Sequence, residues 1–346
     1  MEEALSTNII EVKNVTKDYG DFKLDNISFS VPEGSVCGFI GQNGAGKTTT
    51  IQIILDAINR DSGEVLLFGR SIDKDSAALR ENIGVVFDEM GFHDFLTAKQ
   101  INTIMKNIYK NWNEEKYFEY LKRFSLPTRK ACGSFSRGMR MKLQIATALS
   151  HDARLLIMDE PTSGLDPIVR NEMLRIFHEY VMQADHTILL SSHITGDLEK
   201  LADEVVFIDG GKIILKGNKA QILEKHGILR CKRDELENIE KSLIVATDMV
   251  IAPSGGSSHQ REAVTEVEAG AETEVKAGIK AGIRAEDKAE VGVEVETEIK
   301  VLVNDKTAIG EKYPELSIEP AGLEEIMIYY VNRAKGFRAS EGWESL

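Results

Sequence analysis

Runs of apolar residues without polar interruption recur in the first part of the chain. They include residues 36–40, 155–158 and 188–190. Because these runs do not alternate with polar residues, they predict strands that are buried on both faces of a sheet. Residues 50–57 and 139–149 instead place apolar side chains at helical spacing. Buried strands interspersed with amphipathic helices predict an α/β fold.

A different pattern flanks these runs. Residues 9–31 alternate between apolar and polar positions, with breaks at Gly20 and Pro32, and residues 63–69 continue the alternation. A period of two predicts an antiparallel β layer with one buried face. Residues 205–214 contain an Asp-Gly-Gly turn and predict a β-hairpin.

The character of the sequence changes after about residue 226. Segments 229–250 and 299–303 predict strands with an intervening helix, and residues 322–331 predict an amphipathic helix. Between them, residues 253–298 are low in complexity, contain more Glu than Lys and Arg, and have no aromatic residue. Such a segment buries little apolar surface, which predicts a flexible or weakly ordered insert, although its alternating Val and Glu leave an edge hairpin open.

Length and composition limit the classes of protein to consider. The 346 residues suffice for one large domain, which we place at residues 8–225, and a smaller accessory region at residues 226–346. Hydrophobic residues make up 42% of the chain, yet no apolar run approaches the about 18 residues that span a bilayer. The formal charge of −14 argues against non-specific binding of nucleic acid, which requires a basic surface.

Cysteine usage and the first residues bear on location. Cys37, Cys132 and Cys231 are far apart and odd in number, which favours reduced thiols over disulfides or a metal site. The first residues lack the basic and apolar segments of a signal peptide. We therefore expect a cytoplasmic protein, for which any association with a membrane would come through another protein.

A glycine-rich loop connects the strand predicted at 36–40 with the helix predicted at 50–57. Its sequence, GQNGAGKTT, fits the pattern GxxxxGK[ST] in the strand-loop-helix context that this motif requires. Glycines let backbone NH groups surround phosphate oxygens, and the helix adds the positive end of its dipole. We expect Lys47 to reach the β and γ phosphates of a nucleoside triphosphate, and the Thr48 hydroxyl to bind Mg²⁺. The candidate phosphate-binding residues are Asn43, Gly44, Gly46, Lys47, Thr48 and Thr49.

A second part of the candidate site follows the strand predicted at residues 155–158. Asp159 and Glu160 stand at its carboxyl end, where ligands bind in open α/β sheets. We expect Asp159 to bind Mg²⁺, and Glu160 to orient and deprotonate the water that attacks the γ phosphate. An apolar run that ends in Asp-Glu is common, so this prediction depends on its position downstream of the glycine loop.

The segment SFSRGM at residues 134–139 resembles the LSGGQ signature of the ATP-binding cassette (ABC) family. Ser136 and Gly138 agree with the signature, whereas Arg137 replaces a glycine, and the flanking Phe and Met also depart from it. In this family the loop contacts the γ phosphate that the opposite protomer binds. A serine in this position also caps the following helix, and the two roles are compatible.

Three further positions are similar to those of the family. Residues 163–166 form the sequence SGLD and resemble the loop along the dimer interface, which places Asp166 there. His193 closes the strand predicted at 188–190 and resembles the switch histidine that contacts the γ phosphate. Tyr19 matches the aromatic residue that stacks on adenine.

Asp88 departs from the family pattern. It ends the strand predicted at residues 83–87, where the family usually has a glutamine that reaches the metal and the attacking water. Aspartate is shorter and charged, so it can accept a hydrogen bond from water or bind Mg²⁺ but cannot donate. The neighbouring Glu89 is a second candidate for this role.

The resemblance covers roughly residues 8–225 and implies a P-loop NTPase cassette. Its fold combines a mixed core sheet, an antiparallel β layer and a small α-helical subdomain, to which the aromatic-rich residues 97–126 belong. Residues 226–346 would add a small α+β region with the low-complexity insert. The implied activity is ATP hydrolysis with Mg²⁺ by a homodimer or heterodimer of cassettes that drives a separately encoded integral membrane permease, as in bacterial exporters. The resemblance also implies a cytoplasmic location, peripheral at the inner face of the cell membrane, with membrane contact only through the permease.

Other classes of protein agree less well with the motifs. A soluble ABC protein that acts on ribosomes or DNA usually has two cassettes in one chain, or a long coiled coil between the glycine loop and the signature. This sequence shows one cassette, and the interval between Lys47 and Ser136 is too short for a long coiled coil. A module that binds ATP without hydrolysing it has no use for Glu160 and His193. A GTPase would carry a base-reading NKxD motif, whereas residues 218–221 are NKAQ. We prefer the transport ATPase, with a soluble ABC-type ATPase that acts on ribosomes or another non-transport partner as the alternative.

Overall fold

The computed structural model describes residues 8–183, 185–250 and 298–334. The low-complexity segment predicted at 253–298 therefore lies almost entirely outside the described residues. Within the described ranges, no helix combines the length and apolar character needed to cross a membrane.

The described residues form three β-sheets surrounded by helices. The strands are β1 (Asn8–Asp18), β2 (Lys23–Pro32), β3 (Val36–Ile40), β4 (Ser62–Leu67), β5 (Arg70–Ser71), β6 (Ile83–Val86), β7 (Leu155–Asp159), β8 (Thr187–Ser192), β9 (Glu204–Asp209), β10 (Lys212–Asn218), β11 (Gly227–Cys231), β12 (Ile244–Val250), β13 (Glu298–Val303) and β14 (Ile318–Pro320). The helices are α1 (Lys47–Ile54), α2 (Ile72–Arg80), α3 (Ala98–Ile108), α4 (Glu114–Arg123), α5 (Arg137–Ala148), α6 (Pro167–Val181), α7 (Thr195–Leu201), α8 (Lys219–Lys225), α9 (Arg233–Asn238), α10 (Lys306–Lys312) and α11 (Leu323–Ala334).

The core sheet has the strand order β10-β9-β3-β8-β7-β6. Its strands run parallel except for β10, which pairs antiparallel with β9 in the predicted hairpin. Strands β3, β7 and β8 are buried along their whole length. Uninterrupted apolar sequences predict such burial for strands that are covered on both faces. The predicted mixed core sheet is confirmed.

Alternate residues of the core strands belong to two hydrophobic clusters. Leu156 and Met158 of β7 pack in the cluster that contains α5 and α6, whereas Leu155 and Ile157 pack in the cluster that contains α1 and the antiparallel layer. The side-chain period of two along a strand produces this division. The antiparallel layer has the order β2-β1-β4-β5, as its alternating sequence predicts. The core sheet is thus held between helices and a β layer.

The predicted small α-helical subdomain contains α3, α4 and part of α5. Tyr117 is fully buried among these helices, and its hydroxyl donates to Ala98 O at 3.0 Å. Trp112 Nε1 donates to Asn102 Oδ1 at 2.8 Å. The helical stretch predicted at residues 97–126 forms two helices, α3 and α4, and Asn113 caps the start of α4. The buried Tyr117 supports the interpretation of these aromatics as core.

The C-terminal sheet has the order β12-β13-β11-β14, and all neighbouring strands are antiparallel. Its chain order, β11-α9-β12-β13-α10-β14, is the β-α-β-β-α-β pattern of ferredoxin-like units. The predicted α+β character of this region is confirmed. Helix α8 ends at Lys225 and β11 begins at Gly227, so we propose residue 226 as the boundary between the cassette and the accessory region.

Helix α11 connects the C-terminal sheet to the cassette. Leu323 N donates to Glu199 Oε1 of α7 at 2.8 Å. His226 is buried nearby, where Nδ1 donates to Ile222 O at 2.7 Å and Nε2 accepts from the Tyr330 hydroxyl at 3.0 Å. Burial lowers the pKa of His226, which keeps the ring neutral and its second nitrogen available as an acceptor.

Candidate functional site

The candidate site lies at one edge of the core sheet. Strands β3, β7 and β8 are parallel neighbours whose last residues are in register, with Ile40 beside Ser192 and Asp159 beside Ser191. The loops that leave the carboxyl ends of these strands therefore meet at the same edge. These loops carry the glycine motif, Glu160 and His193, which the sequence predicted as separate elements.

The glycine loop follows β3 and ends where α1 begins at Lys47. Gly44 and Gly46 have φ values of +80° and +111°, a region that residues with a Cβ rarely adopt. At Gly41 a Cβ would lie 2.5 Å from the carbonyl oxygen of Ile208, so the loop approaches β9 closely. The first turn of α1 has NH groups without acceptors inside the helix, which makes its N-terminus suited to a phosphate.

Lys47 extends from α1 into the loop and is almost fully buried. Its Nζ donates to the carbonyl oxygens of Gly41 at 2.7 Å and Gln42 at 3.2 Å. The same nitrogen lies 3.1 Å from Glu160 Oε1. A buried ammonium group requires such partners because the desolvation of an unpaired charge is costly. A phosphate oxygen bound here would compete with these acceptors for the ammonium group.

Two oxygen ligands suited to Mg²⁺ lie beside Lys47. Thr48 Oγ1 donates to Asp159 Oδ2 at 2.7 Å, and Ser191 Oγ donates to Asp159 Oδ1 at 2.5 Å. Mg²⁺ accepts a hydroxyl and a carboxylate and takes its remaining ligands from phosphates and water. No group of three or more His, Cys, Asp or Glu side chains able to hold a metal occurs in the described part of the chain. The Thr48 hydroxyl and the Asp159 carboxylate fit a Mg²⁺ ion that takes its remaining ligands from phosphate oxygens and water.

Glu160 and His193 form a hydrogen-bonded pair. His193 Nδ1 lies 2.7 Å from Glu160 Oε2, and the backbone NH of His193 donates to the same oxygen at 3.4 Å. Glu160 has a φ of +50°, and its NH donates to Ser191 Oγ at 3.1 Å. A positive φ in a residue with a Cβ is uncommon and concentrates at functional sites. The pair has the geometry of a carboxylate base held by an orienting partner.

An open cavity of about 460 Å³ borders these residues. It is lined by Phe22, Asn43, Gly44, Gly46, Lys47, Thr48, Thr49, Asp88, Asp159 and Glu160. All of them except Phe22 are residues that the sequence predicted. Tyr19 is outside this lining and 50% exposed, in a tight turn where its NH donates to Phe22 O at 2.9 Å.

Replacing Tyr19 with alanine is expected to weaken ATP binding about tenfold, because stacking on a base contributes on the order of 1–3 kcal/mol. Tyr19→Phe keeps the ring and should bind ATP like the wild type. Competition between ATP and a fluorescent analogue measures both affinities. Wild-type affinity in Tyr19→Ala, together with weaker binding in Phe22→Ala, would transfer the stacking role to Phe22 of the cavity wall.

Ser136, Gly138 and Asp166 do not line the cavity that contains Lys47. Ser136 caps α5 by accepting from the backbone NH of Met139 at 3.3 Å. Asp166 caps α6 by accepting from two backbone NH groups of its first turn. A Cβ at Gly138 would find its nearest atoms at 3.7 Å, an ordinary contact. The internal packing of this chain therefore does not require a glycine at position 138.

Comparison with known proteins identifies the family. A profile described as ABC transporter matches residues 24–163. The bacitracin transport ATP-binding protein BcrA of Bacillus licheniformis is 39% identical over 212 residues, which cover 60% of this chain and 69% of BcrA. The chain belongs to the ABC transporter family of ATP-binding proteins.

Further members of the ABC family agree with this assignment. The linearmycin resistance ATP-binding protein LnrL of Bacillus subtilis (strain 168) is 30% identical over 273 residues, which cover 77% of this chain and 88% of LnrL. A solved ATP-binding subunit of an ABC transporter matches with a TM-score of 0.57 and 27% identity, covering 62% of this chain and 91% of its own. The predicted P-loop ABC cassette is therefore confirmed.

Several contacts of this ABC site were not predicted from the sequence. The Ser191 hydroxyl donates to the Asp159 carboxylate and accepts from the Glu160 backbone NH. The only feature of the sequence that pointed to Ser191 was the pair of serines at the end of an apolar strand. Gln144 of α5 accepts from Phe87 N at 3.3 Å and donates to Phe87 O at 3.1 Å. It thereby fixes the backbone just before Asp88. No feature of the local sequence indicated that Gln144 would make this contact.

Proposed function

We propose that this ABC protein is the ATP-hydrolysing subunit of a transporter whose permease is a separate chain. The main support is the Glu160–His193 pair at 2.7 Å, because Glu160 lines the same cavity as Lys47 and the Thr48–Asp159 pair. A protein that only binds ATP does not require a carboxylate base oriented at the phosphate end of its site.

Each residue of the site would act on a particular part of the substrate. The glycine loop and Lys47 would bind the β and γ phosphates of ATP. Glu160 would accept a proton from the water that attacks the γ phosphorus, and the bond from that phosphorus to the β-phosphate oxygen would break. His193 would orient the carboxylate through Oε2. ADP and inorganic phosphate would be the products.

Thr48 and Asp159 would hold Mg²⁺ together with phosphate oxygens, and Asp88 is a further candidate ligand at the cavity wall. When bound, the metal would offset the charge that develops on the phosphates. Asp159 also has a role that is independent of the metal, because it fixes the hydroxyl groups of Thr48 and Ser191 in one network.

We propose further that a second cassette completes the site. Ser136 and Gly138 lie outside the cavity of their own chain, so they would act on a nucleotide that another protomer holds. In a two-fold symmetric pair, each glycine loop would face the Ser136 loop of the other cassette, and the N-terminus of α5 would approach the γ phosphate. Asp166 would lie along the interface. ATP would close the pair, and hydrolysis would reopen it.

Mixing two inactive variants tests this composite site. Lys47→Ala removes the phosphate ligand, and Ser136→Asp keeps a good helix cap but places a negative charge against the γ phosphate. Each variant alone should hydrolyse ATP at least about tenfold more slowly than the wild type, since both sites of its dimer are defective. An equal mixture should regain about a quarter of the wild-type rate, because half of the randomly paired dimers contain one intact composite site.

Ser136→Asn is the matched control for the mixing experiment, because asparagine also caps helices but adds no charge. It should retain more activity than Ser136→Asp. A mixture that stays as inactive as its components would exclude the composite site, as would full activity of Ser136→Asp. ATPase rates that do not depend on protein concentration below the dimerisation range would also contradict the proposal.

The permease partner is supported by the names of the relatives. BcrA is described as a bacitracin transport protein and LnrL as a linearmycin resistance protein, which favours an exporter at the cytoplasmic face of the membrane. The full chain, purified from detergent-solubilised membranes, should carry an integral membrane protein in stoichiometric amount. Recovery of ribosomal proteins instead would favour a soluble ABC protein that acts on ribosomes.

A further inference from the structure

Arg137 connects three segments near the carboxyl edge of the core sheet, of which the one with Asp88 lines the cavity. It is the first residue of α5, and its Nη2 donates to Asp88 Oδ1 in the loop after β6. Its guanidinium also lies over Gly164 in the turn that follows β7, where an added Cβ would be 3.1 Å from Arg137 Cζ. One side chain thereby joins the signature-like loop to two other loops at the same edge of the sheet.

The Asp88 carboxylate lines the cavity, and the cation that neutralises its negative charge is Arg137. Glu160 has Lys47 at 3.1 Å, and Asp159 accepts from the hydroxyl groups of Thr48 and Ser191. Asp88 lines the same cavity and forms its ion pair with Arg137. A triphosphate brings several negative charges into this space, so a carboxylate without a cation would oppose its binding.

We propose that Arg137 is a positioning residue for ATP binding, which neutralises Asp88 and holds its carboxylate at the cavity wall. The inference rests on the proposed function. Asp88 stands where the ABC family usually has a neutral glutamine, and Arg137 stands where it has a glycine; the two departures are in direct contact. A charged pair therefore takes the place of two neutral residues without adding net charge to the site.

The pair is not expected to serve folding stability. The Arg137 and Asp88 side chains are 49% and 47% exposed, and ion pairs with such exposure contribute little to stability. A structural role would appear as a change in the unfolding temperature. A role in charge compensation would appear in the affinity for nucleotides, and more strongly for ATP than for AMP because the triphosphate carries more charge.

A double-mutant cycle with Arg137→Gln and Asp88→Asn tests the proposal. Magnesium is chelated, so that metal binding by Asp88 does not enter, and ATP and AMP affinities are measured at low salt. Arg137→Gln should bind ATP about fivefold more weakly, with less than about a twofold change for AMP. Asp88→Asn should not weaken ATP binding. The double variant should return to within about twofold of the wild type, since it has no unpaired carboxylate.

Two further variants separate charge from other effects. Arg137→Lys keeps the positive charge and should restore most of the ATP affinity lost in Arg137→Gln. Arg123→Gln breaks another exposed arginine–carboxylate pair, with Glu179 at 2.8 Å, away from the cavity lining. It should leave ATP affinity unchanged.

The outcomes distinguish this inference from the proposed function. If Arg137→Gln binds ATP like the wild type, or if the effects of the two single substitutions simply add in the double variant, Arg137 does not compensate Asp88. A lowered unfolding temperature in Arg137→Gln with unchanged ATP affinity would also overturn the inference. Failure of the wild type itself to bind ATP would instead count against the proposed function.

Discussion

Glu160→Gln is expected to lower the ATP turnover of this ABC protein by about 10² to 10⁴, the usual contribution of a positioned general base. Glutamine keeps the size of the side chain and an acceptor for His193 Nδ1, which lies 2.7 Å from Glu160 Oε2. It cannot take the proton of the attacking water. The loss should therefore appear in the rate and not in the fold.

ATP binding should survive the same substitution. Glu160 Oε1 lies 3.1 Å from Lys47 Nζ, so its removal frees the ammonium group for phosphate and takes a negative charge out of the cavity. Phosphate release measures the rate, and a fluorescent ATP analogue measures the affinity. We expect affinity equal to or higher than that of the wild type together with the loss of turnover.

Glu204→Gln is the matched control for Glu160→Gln. Glu204 begins β9 and accepts from Asn218 Nδ2 at 3.2 Å. It is the first residue of a strand parallel to β3, so it lies at the opposite edge of the sheet from the glycine loop. The ATPase rate of Glu204→Gln should match that of the wild type. A wild-type rate in Glu160→Gln would remove Glu160 as the base and, with it, the proposed mechanism.

Replacing Asp197 with alanine is expected to lower the free energy of unfolding by about 3 kcal/mol, the largest stability effect that we predict. Asp197 is 1% exposed. Its carboxylate accepts from Thr162 Oγ1 and from Arg170 Nε, each at 2.7 Å. Alanine would leave the buried Thr162 hydroxyl and the partly buried Arg170 side chain without their acceptor. The shift of the urea unfolding midpoint measures the effect.

The Asp197 network also connects the loops that carry Glu160 and His193. Thr162 lies just beyond Glu160, Arg170 belongs to α6, and Asp197 lies in α7, which starts just after His193. Asp197→Asn keeps an acceptor for Thr162 but loses the charge opposite Arg170, so it should destabilise less than alanine and still lower turnover. It provides a folded variant for the ATPase assay if alanine prevents folding.

Glu179→Ala is the control for the Asp197 prediction. It also removes a carboxylate that binds arginine, since Arg123 Nη1 lies 2.8 Å from Glu179 Oε2, but both side chains are about half exposed. The expected loss is less than about 1 kcal/mol because water solvates the released groups. Equal losses in the two variants would show that burial does not set the strength of the Asp197 network.

Most of the site was predictable because its parts are encoded locally. The glycine loop stands between a buried strand and a helix, and Gly44 and Gly46 adopt the positive φ values for which glycine is suited. Asp159 and Glu160 end a second buried strand, and His193 follows a third. Each motif needs only a few neighbouring residues and the hydrophobic pattern beside them.

Contacts between side chains on separate loops were not predictable in the same way. Phe22 belongs to a turn of the antiparallel layer, and it reaches the cavity only because that layer packs over α1. The helical spacing of residues 139–149 gave no sign that Gln144 of α5 would hold the backbone of Phe87. Such contacts depend on how separate elements dock, which neither spacing nor propensity specifies.

The sequence by itself determined the family, the order of its motifs and the strands that carry them, because those features follow from local pattern and short-range geometry. Only the tertiary structure decided that Arg137 meets Asp88, that Asp197 joins Thr162 to Arg170, and that His193 reaches Glu160. The physical reason is the order of the core sheet. It brings β6, β7, β8 and β3 side by side although long helical segments separate them in the chain, so their loops share one edge.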